Sequence, residues 1–310
     1  MITVEKVLLA APRGYCAGVD RAVEIVERAL QRFGAPVYVR KQIVHNSHVV
    51  ADLESKGAVF VEELAEVPTG ATAVLSAHGV APEVYEQGRA RNLRVIDATC
   101  PLVTKVHNEA KKFARDGYHI VLIGHEGHEE VIGTMGEAPA SITLIGTPEE
   151  ADSLELPSDE RVAYLSQTTL SVDETNDVID RLRARFPVIQ PPPREDICYA
   201  TQNRQEAVKI LAEKSDVVLV IGSDNSSNSK RLAEVAGVYG ARSYLIDDET
   251  EIQDAWFDGA RTVGITSGAS APEWLVERVL GWFRARGVSD VEEIRVVEED
   301  VHFALPKEVG

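Results

Sequence analysis

Short β-type apolar runs alternate with amphipathic stretches along almost the whole chain, and no other feature limits its fold so strongly. Residues 7–10, 37–40, 59–61, 73–75, 120–123, 162–165, 217–221, 243–246 and 262–265 read as strands. Residues 21–33, the stretch from Pro101 to a stop at Gly117, and residues 175–186, 204–214, 230–238 and 272–286 read as helices. In the first of these, Ala22, Ile25, Val26 and Ala29 share a face and Gly34 ends the helix. Pro101 opens the second at a position where its missing N–H costs nothing, and Val103, Val106, Ala110 and Phe113 line one side. Repeated strand–helix–strand units build parallel sheets covered by helices, so the expected fold class is α/β.

A length of 310 residues allows two or three compact units. Gln190-Pro191-Pro192-Pro193-Arg194 looks like a boundary, as does Thr147-Pro148-Glu149-Glu150 unless it is a helix start. Residues 288–310 are acidic, with β-like pieces such as Ile294-Arg295-Val296-Val297, and read as a tail strapped over the body. Asp and Glu number 50 against 32 Lys and Arg, a formal net charge of −18. General nucleic-acid binding needs a basic footprint and is excluded. No run of 18 apolar residues offers a membrane span. The N-terminal residues do not resemble a secretory signal, so a cytoplasmic location is expected.

In open parallel sheets, ligands bind beyond the carboxyl ends of the strands. Those positions hold Pro12-Arg13-Gly14-Tyr15-Cys16-Ala17-Gly18, Ser76-Ala77-His78-Gly79, Asp97-Ala98-Thr99-Cys100-Pro101 and Gly124-His125-Glu126-Gly127-His128-Glu129-Glu130. Further on stand Ser166-Gln167-Thr168-Thr169, Asn225-Ser226-Ser227-Asn228-Ser229 and Gly268-Ala269-Ser270. Any one of these suits an ordinary helix cap. The serine–asparagine run exceeds what one cap needs. Hydroxyl and amide donors at helix starts make an anion site, for phosphate above all, and an acidic chain can build it from neutral donors and histidines.

The chain has three cysteines, Cys16, Cys100 and Cys198, spaced 84 and 98 residues apart. An odd number cannot all pair within one chain. Burial, reactivity and metal ligation are the open readings. Three thiolates meeting from separate segments could hold zinc or an iron–sulfur cluster. The absence of C-x-x-C speaks against a simple electron carrier and for a cluster with an open iron. His125-Glu126-Gly127-His128 is not the zinc-hydrolase H-E-x-x-H, because the second histidine comes one residue early and Gly127 favours a loop. His45, His78 and His128 suit an anion. His48, His107, His119, His125 and His302 are expected to be structural or at the surface.

These loops resemble, in order from residue 12 to residue 272, those of the LytB-type 4-hydroxy-3-methylbut-2-enyl diphosphate reductases, which end the methylerythritol phosphate route to isoprenoids. Besides the segments above, Val44-His45-Asn46, Gln167-Thr168-Thr169-Leu170-Ser171, Asp196-Ile197-Cys198-Tyr199-Ala200-Thr201 and Gly268-Ala269-Ser270-Ala271-Pro272 carry the likeness. Tyr15 stands where phenylalanine is commoner in the family and Glu129 where proline is expected.

The resemblance implies three small α/β domains with parallel-rich sheets, arranged pseudo-symmetrically around a central cluster: residues 18–100, 101–194 and 1–17 with 195–287, followed by the tail 288–310. It implies one [4Fe-4S] cluster held by Cys16, Cys100 and Cys198, with an open iron for the substrate hydroxyl. The implied reaction is a two-electron reductive dehydroxylation giving isopentenyl and dimethylallyl diphosphate. Glu130 is the implied proton donor, directly or through Thr168, with Glu126 and Glu129 as local alternatives. His45, His78, His128, Thr168, Ser226, Ser227, Asn228 and Ser270 would bind the allylic diphosphate, the histidines becoming charged beside it. No G-x-G-x-x-G follows a strand, so electrons are expected from reduced ferredoxin or flavodoxin, with Arg13, Arg21 and Arg40 as candidate docking residues. A three-cysteine cluster hydratase and an iron- or redox-sensing protein are the competing readings.

Overall fold

A computed structural model describes residues 2–157 and 160–310. In chain order its elements are β1 (Lys6–Ala11), α1 (Ala17–Phe33), β2 (Val37–Arg40), α2 (Ser47–Ser55), β3 (Ala58–Val61), β4 (Thr72–Leu75), α3 (Pro82–Ala90), β5 (Arg94–Asp97), α4 (Pro101–Arg115), β6 (His119–Ile123) and α5 (Glu129–Gly136). They continue with β7 (Ile142–Ile145), α6 (Pro148–Ser153), β8 (Val162–Ser166), α7 (Val172–Arg185), α8 (Tyr199–Glu213), β9 (Val217–Ile221), α9 (Ser227–Val238), β10 (Arg242–Ile246), β11 (Thr262–Ser267), α10 (Glu273–Arg284) and β12 (Asp290–Arg295). The strands form three sheets, ordered β10-β9-β11-β1-β12, β3-β2-β4-β5 and β7-β6-β8. Every pairing between them is parallel. The α/β class read from the sequence is what the chain adopts.

Two compact units emerge. One comprises residues 1–20, 45–51 and 199–302, and contains the five-stranded sheet. Both faces of that sheet are covered. Val7, Leu9, Leu219, Ile221, Val263 and Ile265 pack on one side with Leu275, Val279 and Phe283 of α10. Leu8, Ala10, Val218 and Val220 pack on the other with Val208 and Leu211 of α8 and Leu232 of α9. Successive residues of a strand point to opposite faces, so a sheet buried on both sides reads as an unbroken apolar run. Each such Val, Leu, Ile or Phe side chain contributes about 1.5–3 kcal/mol on burial.

The other unit comprises residues 21–44, 52–198 and 303–310 and contains the four- and three-stranded sheets. In the latter, Val121, Ile123, Val162 and Tyr164 pack with Val178 and Leu182 of α7. Ile120, Leu122, Ala163 and Leu165 pack with Val106, Ala110 and Phe113 of α4.

Several helices begin earlier than their apolar periodicity suggests: α1 at Ala17, α7 at Val172, α8 at Tyr199 and α9 at Ser227. Thr147 opens α6 rather than a linker, its hydroxyl accepting the Glu150 N–H while the Glu150 carboxylate accepts the Thr147 N–H. Residues 290–295 of the expected tail form β12, in register beside β1.

Candidate active site

In the second unit, the loops beyond β4, β5, β6 and β8 carry His78, Cys100, His128 and Thr168. Glu130 lies in the first turn of α5 and is 2% exposed. Thr168 donates its backbone N–H to Glu130 Oε1 at 2.6 Å and its hydroxyl to Oε2 at 2.9 Å. Burial pushes this carboxyl up to about 7, against the Thr168 hydrogen bonds that pull it down. The two neighbouring carboxylates differ. Glu126 is exposed, and Glu129 lies 3.5 Å from Arg40 and 3.7 Å from Lys41. His128 caps α5, its Nδ1 accepting the Glu130 N–H at 3.2 Å. An accepting Nδ1 carries no proton, so the imidazole proton resides on Nε2. The His78 ring meets that of His128 edge-on, with centroids 5.9 Å apart. Residues 124–128 form the expected loop, and the helix starts immediately after it.

In the first unit, the loops beyond β1, β9 and β11 come together. Ser226 caps α9 by accepting the Ser229 N–H, and its hydroxyl also takes one from Ser229 at 3.0 Å. The Asn228 side-chain oxygen accepts the Ala269 N–H at 2.9 Å, and Ser270 donates its hydroxyl to the His45 carbonyl at 2.9 Å. Ser226, Asn228 and Ser270 are buried, while Ser227 and His45 are half-buried. A helix start rich in hydroxyls and amides is suited to an anion. Burial pushes the His45 imidazole down to about 4, so it is neutral near pH 7, in contrast to the charged form expected beside a ligand.

A model of the LytB protein family matches residues 7–284. The chain belongs to the LytB family. It is 63% identical over 305 residues to the 4-hydroxy-3-methylbut-2-enyl diphosphate reductase of Acidothermus cellulolyticus, covering 98% of this chain and 90% of that one. The reductase of the same name from Leifsonia xyli subsp. xyli is 61% identical over 306 residues, at 98% and 91% coverage. Among solved structures, the E-1-hydroxy-2-methyl-but-2-enyl-4-diphosphate reductase of Plasmodium falciparum superposes with a TM-score of 0.96 at 36% identity, covering 99% of this chain and 97% of that one.

Cysteine placement in this LytB-family chain follows one rule. Cys16, Cys100 and Cys198 each stand immediately before a helix, α1, α4 and α8 respectively. Each donates its backbone N–H to a carbonyl of a neighbouring loop: Cys16 to Ala269 at 3.2 Å, Cys100 to Ala77 at 2.9 Å and Cys198 to Thr168 at 3.0 Å. All three are half-buried and none is disulfide-bonded. Among the described residues, no three His, Cys, Asp or Glu side chains gather around a point that one metal ion could occupy. A polynuclear cluster asks for a different donor set, one thiolate per iron, and half-buried thiols with anchored backbones at positive helix ends fit it.

Arg13 is ion-paired with Glu273 and Glu293, and Arg40 with Glu63 and Glu129. Arg21 is committed to backbone carbonyls of residues 98, 99 and 304. These engagements leave little of the three for a docking surface. One residue had no assigned role. Asp196 is buried, accepting the Ser166 N–H at 2.9 Å and a Lys105 hydrogen bond at 2.7 Å. An acidic residue two positions from a cysteine was visible in the sequence, but its partners were not.

Proposed function

We propose that the chain is a 4-hydroxy-3-methylbut-2-enyl diphosphate reductase, an oxidoreductase that removes the allylic hydroxyl of its substrate with two electrons and two protons. The products are isopentenyl and dimethylallyl diphosphate plus water. Cys16, Cys100 and Cys198 hold one [4Fe-4S] cluster. When bound, that cluster supplies the electrons and a Lewis-acidic iron for the departing oxygen.

The observation that carries the reading is Glu130. A buried carboxyl poised at about 7 holds a proton at neutral pH and can release it, as a general acid must. Its Oε2 accepts a hydrogen bond from the Thr168 hydroxyl, so the proton passes to the substrate either directly or through that hydroxyl. His45, His78, His128, Thr168, Ser226, Ser227, Asn228 and Ser270 orient the substrate and grip its diphosphate. The helix start at Ser227 adds backbone donors.

Reduced ferredoxin or flavodoxin delivers the electrons, and the cytoplasm keeps the thiols reduced. The three-domain division, residues 18–100, 101–194 and 1–17 with 195–287, is supported by the sheets, each of which draws its strands from one such span with β12 added from beyond.

The test is anaerobic purification with iron and sulfide analysis, followed by incubation with the hydroxylated C5 diphosphate and a chemical reductant. Both C5 diphosphate products are expected. A fully clustered chain that leaves the substrate untouched overturns the reading.

A further inference from the structure

Each cysteine is followed, five or six residues on, by a basic residue: Arg21 after Cys16, Lys105 after Cys100 and Arg204 after Cys198. Each of the three holds backbone just ahead of a different cysteine. Arg21 donates to the carbonyls of Ala98 (3.3 Å) and Thr99 (3.1 Å), immediately before Cys100. Lys105 donates to the carbonyls of Arg194 (2.7 Å) and Glu195 (2.9 Å) and to the Asp196 carboxylate (2.7 Å), just before Cys198. Arg204 is fully buried and donates to the Gly14 carbonyl at 2.9 Å, two residues before Cys16, and to Glu299 at 3.1 Å.

A buried carbonyl needs a donor, and one arginine meeting that need is ordinary. Arg204 also donates to the Ala200 carbonyl in its own helix at 3.0 Å, yet three cations at nearly one spacing, each reaching the backbone ahead of another cysteine, are not explained by ordinary satisfaction. Residues behind the ligands set a metal site's geometry by fixing the backbone that carries them. We infer that Arg21, Lys105 and Arg204 are positioning residues, each on the helix that one cysteine opens and each fixing the turn that presents the next. This inference rests on the cluster reading for its purpose, though not for its geometry.

The test separates the two. In the iron-free full chain, N-ethylmaleimide labelling of each cysteine is followed by mass spectrometry. Arg21→Met should speed labelling at Cys100, Lys105→Met at Cys198 and Arg204→Met at Cys16, with the other two thiols at wild-type rates in each case. Arg21→Lys, Lys105→Arg and Arg204→Lys should fall in between. General loosening would instead raise all three rates together, and that result, or faster labelling at the cysteine opening the altered residue's own helix, overturns the inference. Where a methionine variant shows no cooperative melt, the charge-conserving exchange decides by the same pattern. In reconstituted protein the methionine variants should lose iron to a chelator about 10-fold faster than wild type; unchanged loss overturns the cluster-holding role. A wild-type chain that takes up no iron overturns the cluster reading, while the labelling pattern still decides the positioning.

Discussion

Glu130, the proposed proton donor, is buried at a cost to stability. Its folded pKa of about 7 lies above the ordinary 4.5, so between these values the folded chain binds more protons than the unfolded one. Stability from this group is fullest below about pH 4.5 and falls as pH rises to about 7. Glu130→Gln removes that dependence. Denaturant melts across this range should show the variant gaining on wild type by about 3 kcal/mol, then holding a constant difference at higher pH. Its turnover should drop about 100-fold or more with iron content unchanged. In wild type, kcat should decline as pH rises through about 7; unaltered turnover in the variant would remove Glu130 as the acid. His45 makes a second residue-scale case. It starts neutral with a pKa of about 4, and an adjacent diphosphate favours its charged form. Substrate binding near neutral pH should therefore take up protons, seen by calorimetry in buffers of different protonation heat, and should tighten as pH falls. Binding without proton exchange would make His45 a neutral donor instead.

Among the elements, what the sequence made legible was the buried part. Strands covered on both faces and helices with an apolar stripe stood out. The first turns of α8 and α9 were missed because they are polar where they meet the loops, so their periodicity begins one turn late. Helix α5 was hidden for another reason. Two of its eight residues are Gly133 and Gly136, poor helix formers. A Cβ at Gly133 would come within 3.2 Å of the His107 ring, and one at Gly136 would collide with Ala81. Close packing around the Glu130 helix thus set the composition that obscured it. The same logic predicts two opposite outcomes for glycine to alanine. At Gly268 a Cβ would collide with the Ser229 hydroxyl, beside the Asn228–Ala269 hydrogen bond. Gly268→Ala should lower stability by about 1–3 kcal/mol and weaken diphosphate binding. Gly281, inside α10, would meet nothing within 4 Å. Gly281→Ala should stabilise by about 0.5–1 kcal/mol and leave binding alone. Denaturant melts with a binding titration test both, and equal effects at the two sites would refute the packing argument.

For the whole molecule, the resemblance of the loops supplied the proposed site residues, and composition alone does not choose among zinc, a cluster and inert thiols. The cysteines lie 84 and 98 residues apart in the chain. A core held by all three would join distant segments, and ligation available only to the folded chain adds its binding free energy to stability. The clustered protein should therefore melt well above the iron-free chain under anaerobic conditions, with the difference abolished by a chelator. Each of Cys16→Ser, Cys100→Ser and Cys198→Ser should shrink the difference, because a missing thiolate weakens retention of the core. The iron-free melts of the three variants should stay close to that of the iron-free wild type, since the stabilising link is the metal core rather than any packing of the thiols. A cysteine variant that keeps the full iron-dependent gain would show that its sulfur is no ligand, and would leave the chain with fewer anchors than a four-iron core with a single open corner requires.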